Sequence, residues 1–270
     1  MKTTEKRNAI IGAVVLGFII IGLTLWYMAS NPPMQVSLGE YPAAPVPPGA
    51  YEKEILTDES RYHTAVAAYP SDIPLRESAG PEANAMVVAR LNDFATSQIA
   101  DFKARAGFET MTEEDISMLG FDQGRKYALE LDFDVSESPK TLTYVYTIYE
   151  DTLGAHPNGT YRTFTFDKAT GKELGLSDIF TGDYLSRLSA ISRQVLPGNI
   201  SALSGVEADL EYIETGTTPT AENFQWFALQ NDMLILLFPP YQVGPYALGP
   251  QFVEIPLSEI TDILNPTYQP

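Results

Sequence analysis

Lys126 to Glu150 reads KYALELDFDVSESPKTLTYVYTIYE. Leu129, Leu131, Phe133 and Val135 fall on one side of an extended chain and Glu130, Asp132 and Asp134 on the other, the period-two alternation of a half-buried strand. Thr141 to Glu150 continues the aromatic and β-branched character, and Ser136 to Lys140 supplies a turn, so the stretch predicts an antiparallel pair. The Asp132/Asp134 pair has the oxygen chemistry for a hard cation. Alternation already accounts for it, and neither the spacing nor the glycine of a calcium loop is present.

Outward from this pair the pattern changes period. Tyr51 to Leu56 and Tyr62 to Tyr69 read as a hairpin around the polar Thr57 to Arg61, with Pro70 ending the second strand. From Pro81 to Ala106, Met86, Val87, Leu91, Phe94, Ile99 and Phe102 keep close to i, i+3, i+4 spacing, which predicts one long amphipathic helix stopped by Gly107. Glu113-Glu114-Asp115 sets another helix N-terminus, where acid complements the dipole. Downstream, Tyr161 to Phe166 is a strand and Asp167 to Gly171 a tight turn whose glycine can take positive φ. A helix is expected from Gly182 to Val195, closed by Pro197 and Gly198. Phe224 to Leu229 and Met233 to Phe238 pair across Asn231-Asp232. Phe252 to Ile255 is the last strand, and Pro256 starts a short helix through Leu264. Helices mixed with antiparallel strands, without regular alternation, are the mark of an α+β fold.

The first 50 residues have a different character. Ala9 to Ala29 is 21 residues of almost wholly apolar sequence, about 30 Å as a helix, enough to cross a bilayer once. Lys2, Lys6 and Arg7 precede it, so the charge rule leaves residues 1–8 as a cytoplasmic tail and puts everything after Ala29 outside, with Trp26 and Tyr27 at the outer interface. A cleaved signal peptide shares the basic start. The apolar run is longer than such peptides use, and the segment around Tyr27 to Ser30 lacks their small-x-small cleavage pair. Asn31 to Ala50 holds Pro32, Pro33, Pro42, Pro45, Pro47 and Pro48, which favours an extended stalk over a proline-rich ligand. The expected organisation is a tail (1–8), a transmembrane helix (9–29), a stalk (30–50), an N-terminal α+β module (51–135) and a C-terminal module (136–270).

Composition narrows the function. With 44% apolar residues the 270-residue chain can bury a core. It has no cysteine, which removes thiol nucleophiles, disulfide frameworks and cysteine-ligated zinc. Against 17 Lys+Arg stand 35 Asp+Glu, a net charge of -18, and the first 50 residues contribute none of the excess acid. Such an ectodomain is not expected to bind nucleic acid. There is no Gly-x-Ser-x-Gly elbow, phosphate-cradling glycine motif or His-Glu-x-x-His, so neither cofactor nor metal is implied.

The two histidines are His63 and His156. His63 lies in a predicted strand and reads as a structural or surface imidazole. His156 sits in Gly154-Ala155-His156-Pro157-Asn158-Gly159, a loop between strands, where binding residues gather; equally, the ring can serve as a brace on the backbone of a turn. From Leu236 to Pro250 an apolar strand runs into a loop of prolines, glycines and aromatics. Its stiffness suits Tyr241 and Tyr246 to contact with little entropy left to lose, or to packing over a sheet edge. The candidate ligand-binding residues are Gly154, His156, Asn158, Tyr241 and Tyr246, with no catalytic set.

Tyr144 to Asn158, Thr163 to Phe180 with its closing Leu-Ser-Asp-Ile-Phe, and Leu237 to Pro256 resemble the C-terminal ectodomain of the anti-sigma-V factor RsiV, a domain also found in peptidoglycan deacetylases of the PdaC type. The family's Gly-Gly-Ala-His-Gly loop is matched by Leu153-Gly154-Ala155-His156-Pro157, with both flanking positions changed. Its Tyr-x-Val-x-Pro-Tyr-x-x-Gly-Pro segment is matched by Tyr241 to Pro250. Residues 51 to about 135, with Tyr69-Pro70, resemble the module that usually precedes it. RsiV-like proteins hold a sigma factor through a cytoplasmic segment and bind lysozyme outside; the deacetylases add a metal-binding catalytic domain. Eight tail residues and two histidines leave neither addition expected here. The resemblance implies a non-enzymatic extracytoplasmic module that recognises lysozyme or another cell-wall-associated ligand. The other readings are a peptidoglycan-acting hydrolase using His156 with a carboxylate, and a subunit docking a membrane partner.

Overall fold

The computed structural model describes residues 51–269. The expected tail, transmembrane helix and stalk, residues 1–50, lie outside the described residues. Among those described, no helix is long and apolar enough to cross a membrane.

Strands β1 (Lys53–Glu59) and β2 (His63–Pro70) form the expected hairpin around a turn at residues 60–62, shorter than the one predicted. Helix α1 (Gly80–Ala106) follows, with Pro81 in its first turn, and Gly107 at φ 63° ends it by returning its N–H to the carbonyl of Lys103. Val87, Leu91, Phe94, Ala95, Ile99 and Phe102 make its buried stripe. Met86, expected in that stripe, is 72% exposed; it lies one residue, about 100° of rotation, from Val87 and off the contact face. Helix α2 (Glu113–Leu119) begins at the predicted acidic run, with Thr112 and Asp115 forming a reciprocal cap.

Strands β3 (Tyr127–Glu137) and β4 (Thr141–Asp151) are the pair read from residues 126–150. With β5 (Asn158–Asp167) and the two-residue β6 (Glu173–Leu174) they complete a six-stranded sheet in the order β1-β2-β3-β4-β5-β6. The β2–β3 pair is parallel and the others antiparallel. The parallel pair follows from the connection, since α1 and α2 carry the chain back to the starting end of the sheet. The boundary expected between residues 135 and 136 falls inside β3.

After helix α3 (Leu176–Ile179) comes α4 (Tyr184–Ser204), capped by the Asp183 side chain and ended by Gly205 at φ 69°. The sequence predicts an end at Val195, before Pro197 and Gly198; the helix passes through both. Leu188, Ser192, Leu196 and Ile200 continue one buried stripe across the proline, and the Asn199 amide donates to the Phe252 carbonyl at 2.9 Å. An interior proline costs about 3 kcal/mol, while burying Leu196 and Ile200 returns about 1.5–3 kcal/mol each, so packing outweighs the break. Helix α5 (Leu210–Gly216), which sequence reasoning missed, precedes a second sheet of β7 (Phe227–Gln230), β8 (Met233–Phe238) and β9 (Gln251–Pro256). The helix expected from Pro256 to Leu264 is only a 3-10 turn at Leu257–Glu259. Its continuation pairs elsewhere: Thr181 N–H donates to Ile263 O at 2.7 Å and Asn265 N–H to Ile179 O at 2.8 Å. Those bonds replace the intrahelical ones.

The layers run α1, large sheet, small sheet, α4. Phe94 of α1 packs on Tyr146 and Phe164 of the large sheet. The other face of that sheet presents Val145 and Tyr161 to Ala228, Ile235 and Leu237 of the small one. Leu234, Leu236 and Phe238, on the opposite side of β8, meet Leu188, Leu196 and Ile200 of α4. Leu196→Ala is expected to lower the unfolding free energy by about 2–5 kcal/mol in urea denaturation. Pro197→Ala should be neutral or stabilising in the same assay. A large loss there would show that the ring itself contributes to the packing.

Candidate functional site

The two loops singled out in the sequence meet at one end of the layered sheets. Residues 152–157 join β4 to β5, and residues 239–250 join β8 to β9. Backbone strain concentrates here: among the described residues the non-glycine positions with positive φ are Leu153 (57°), Asn231 (52°) and Tyr241 (70°), two of them in these loops. Each such position costs about 1–2 kcal/mol. The Asp151 carboxylate holds the first loop by accepting from Leu153 N–H at 2.7 Å.

The second loop is clamped by Gln242, whose side-chain amide donates to Gly216 O at 3.0 Å and Asn223 O at 2.8 Å. Val243 is buried beside it. Gly216, at the end of α5, is required by this approach: a Cβ there would stand 1.8 Å from the Gln242 carbonyl oxygen.

On this frame three rings assemble. His156 stacks on Tyr246 with centroids 3.9 Å apart and planes 21° apart, and Tyr241 lies 5.4 Å from Tyr246. The His156 Nδ1 lies 2.8 Å from the Pro157 carbonyl oxygen, which can only accept, so Nδ1 carries the proton. Nε2 is then the acceptor for the Tyr241 hydroxyl at 3.3 Å. The Tyr246 hydroxyl donates to the same Pro157 carbonyl at 2.6 Å. His156 is therefore at once the brace of its turn and the centre of an aromatic platform. Tyr241 is 53% exposed and His156 is open to solvent, so the platform faces outward.

Of the five sequence candidates, the structure brings His156, Tyr241 and Tyr246 together. Gly154 lies in the exposed loop with open space where a Cβ would point, and Asn158 begins β5 opposite Glu150. Among the described residues the rings bond to each other and to Pro157, not to Gly154 or Asn158. Sequence reasoning missed the Gln242 clamp, its partner Gly216 and the accepting role of Pro157, none of which has a local signal. Among the described residues no carboxylate contacts the His156 ring, and no group of three or more His, Asp or Glu side chains is arranged to hold a metal ion.

His63 is buried. Its ring nitrogens lie 2.8 Å from Ser60 Oγ and 2.8 Å from Asp58 Oδ1, and the ring stacks on Phe108 at 4.9 Å. Ser60 Oγ also accepts from the N–H groups of Tyr62 and His63, so its hydroxyl closes the β1–β2 turn. The Lys103 ammonium, 2.6 Å from Asp58 Oδ2, and then the His63 ring hold the Asp58 carboxyl below its ordinary range. A carboxyl depressed in the folded state stabilises above its unfolded pKa and loses that contribution as pH falls through the folded value.

With the geometry in place, the comparisons say what parts of the chain are similar to. Residues 177–258 match the family model described as "Protein of unknown function (DUF3298)", which takes in α4, α5, the small sheet and the Tyr241–Tyr246 loop. The chain is 33% identical over 147 residues to the peptidoglycan-N-acetylmuramic acid deacetylase PdaC of Bacillus subtilis, covering 53% of this chain and 31% of PdaC. It is 29% identical over 124 residues to the immunogenic protein MPB64 of Mycobacterium bovis, covering 46% of this chain and 52% of that one. The chain thus spans about a third to a half of the curated relatives it matches. A solved DUF3298 family protein from Pseudomonas aeruginosa superposes with a TM-score of 0.50 at 14% identity, over 82% of this chain and 98% of its own, which speaks to the fold alone.

Gly216→Ala should lower the melting temperature, by the equivalent of about 1–3 kcal/mol, and open residues 239–250 to limited proteolysis before global unfolding. For Asp58→Asn, the gap in melting temperature from the parent should be widest near neutral pH and close as pH falls below about 4. A gap that widens in acid would overturn the assignment of Asp58 as a stabilising carboxylate.

Proposed function

We propose that this is a membrane-anchored, extracytoplasmic binding module without catalytic activity, related to the RsiV-like ectodomains and preceded by their usual companion module at residues 51–135. Its ligand is lysozyme or another cell-wall-associated molecule, met through the platform of His156, Tyr241 and Tyr246. The observation that carries this reading is the convergence of two loops, distant in sequence, on one exposed aromatic surface. Stacked rings on a clamped loop present contact area with little conformational entropy to lose. The DUF3298 match and the partial likeness to PdaC support a place at the cell envelope. The chain's charge of -18 supports a basic protein partner, because long-range attraction raises the association rate. Both nitrogens of His156 are engaged by the loops themselves, which favours a structural ring over a general base.

The test is calorimetric titration of the full chain in uncharged detergent with lysozyme, at low and at high salt. Affinity should fall with salt, and His156→Ala and Tyr246→Ala should each weaken binding by about tenfold. No binding, or binding indifferent to salt, removes the charge-steered version. In intact cells, external protease should degrade the folded part; its protection would overturn the anchored topology.

A further inference from the structure

A second surface feature lies apart from the two loops. Arg162, on β5, points its guanidinium over the Trp226 ring at 4.6 Å and lies 5.2 Å from the Phe164 ring. Arg90, from α1, lies 4.6 Å over the same Phe164. Arg90 spends its Nε on Glu173 Oε2 at 2.9 Å. Arg162 has no hydrogen-bond acceptor and no ion-pair partner among the described residues, although five N–H donors project from a planar group. Lys53, Lys103, Lys126 and Lys168 each find a carboxylate in this acid-rich chain. Arg61, which also finds no carboxylate among the described residues, lies exposed over the Tyr62 ring, whereas Arg162 is half-buried. Burial, and next the Arg90 charge, work against the Arg162 cation, with Glu173 opposing.

Two clefts share the ridge made by Arg162 and Trp226, one of about 580 Å3 and one of about 330 Å3. The larger also contains Arg90, and Ser97, Gln98 and Thr160 supply hydroxyl and amide groups at its wall; Asp93 is its acidic member. Two guanidinium groups oriented by aromatic rings, one of them without an acceptor, match the bidentate geometry of a carboxylate. Neutral hydroxyls and an amide beside an indole suit the hydroxyls and apolar face of a sugar ring. We propose that the Arg90–Arg162 cleft is a binding site for a carboxylate-bearing saccharide, with Arg162 as the principal carboxylate ligand and Trp226 as the wall that holds it in place. The site is independent of the His156 platform.

The experiment is calorimetric titration of the full chain in uncharged detergent with trigalacturonate, its methyl ester, triglutamate and inorganic phosphate. Trigalacturonate should bind, its methyl ester at least about tenfold more weakly, and Arg162→Gln should lose at least about tenfold. Arg162→Lys should recover part of that loss, because charge returns without the fork. Circular dichroism checks each fold, and Arg90→Gln, which also gives up the pair with Glu173, should weaken binding with the fold retained. No heat with trigalacturonate, or affinity unchanged in both Arg162→Gln and Arg90→Gln, overturns the site. Triglutamate binding as tightly as the saccharide would assign the cleft to acidic peptides, and phosphate doing so would assign it to a free anion; either overturns the saccharide assignment. A loss on His156→Ala equal to that of Arg162→Gln would move the ligand to the loops and do the same.

Discussion

The packing of the small sheet on the large one sets everything else in the molecule. Ala228, Ile235 and Leu237 lie on Val145 and Tyr161, and the polar groups trapped between the sheets are paired rather than excluded. Thr143 and Thr165 bond each other across β4 and β5 at 2.9 Å, Ser136 donates to Leu229 O, and Thr163 Oγ1 accepts from Phe227 N–H. The last two tie backbone of β7 to side chains of the large sheet, so the sheets are held in register as well as in contact. A pair of apolar faces alone would permit sliding; paired buried polar groups make each slip costly.

The loops inherit their precision from this contact. Since β4 and β5 belong to one sheet and β8 and β9 to the other, the β4–β5 and β8–β9 connections reach each other only when the sheets stack in one way. The Tyr246 hydroxyl and the Nδ1–H of His156 then converge on the single carbonyl of Pro157. The strained backbone at Leu153 and Tyr241 is tolerated because the strands on both sides of each loop are buried, and Gln242 fastens the longer loop to α5. The same stacking brings Trp226, just before β7, against Arg162 on β5. Both candidate surfaces are therefore products of the inter-sheet contact.

Much of the architecture was legible from periodicity. Alternation in residues 126–150 marked β3 and β4, and the helical stripe from Val87 to Phe102 marked α1, because each element buries one face and each face has its own period. Reading failed where a buried partner overrode a local signal. Pro197 and Gly198 look like a stop, but Leu196 and Ile200 bury against β9 and keep α4 helical. Pro256 looks like a helix start, but the backbone after it pairs with residues 179–181. Helix α5 escaped notice because Leu210 is exposed and only Ile213 and Gly216 are buried, too few positions to show a period.

For the site, residue types alone pointed to His156, Tyr241 and Tyr246: a histidine among glycines between strands, and tyrosines in a proline-stiffened loop. Composition alone also established the acid excess and the lack of thiol chemistry. Only the tertiary structure decided that these two loops touch, which nitrogen of His156 carries a proton, and that Gln242 and Gly216 hold the assembly. It alone left Arg162 beside Arg90 and Trp226 with no acceptor among the described residues. The physical reason is common to all of these: side-chain period is written along the chain, but contact between residues 85 positions apart, as for His156 and Tyr241, depends on how two sheets stack.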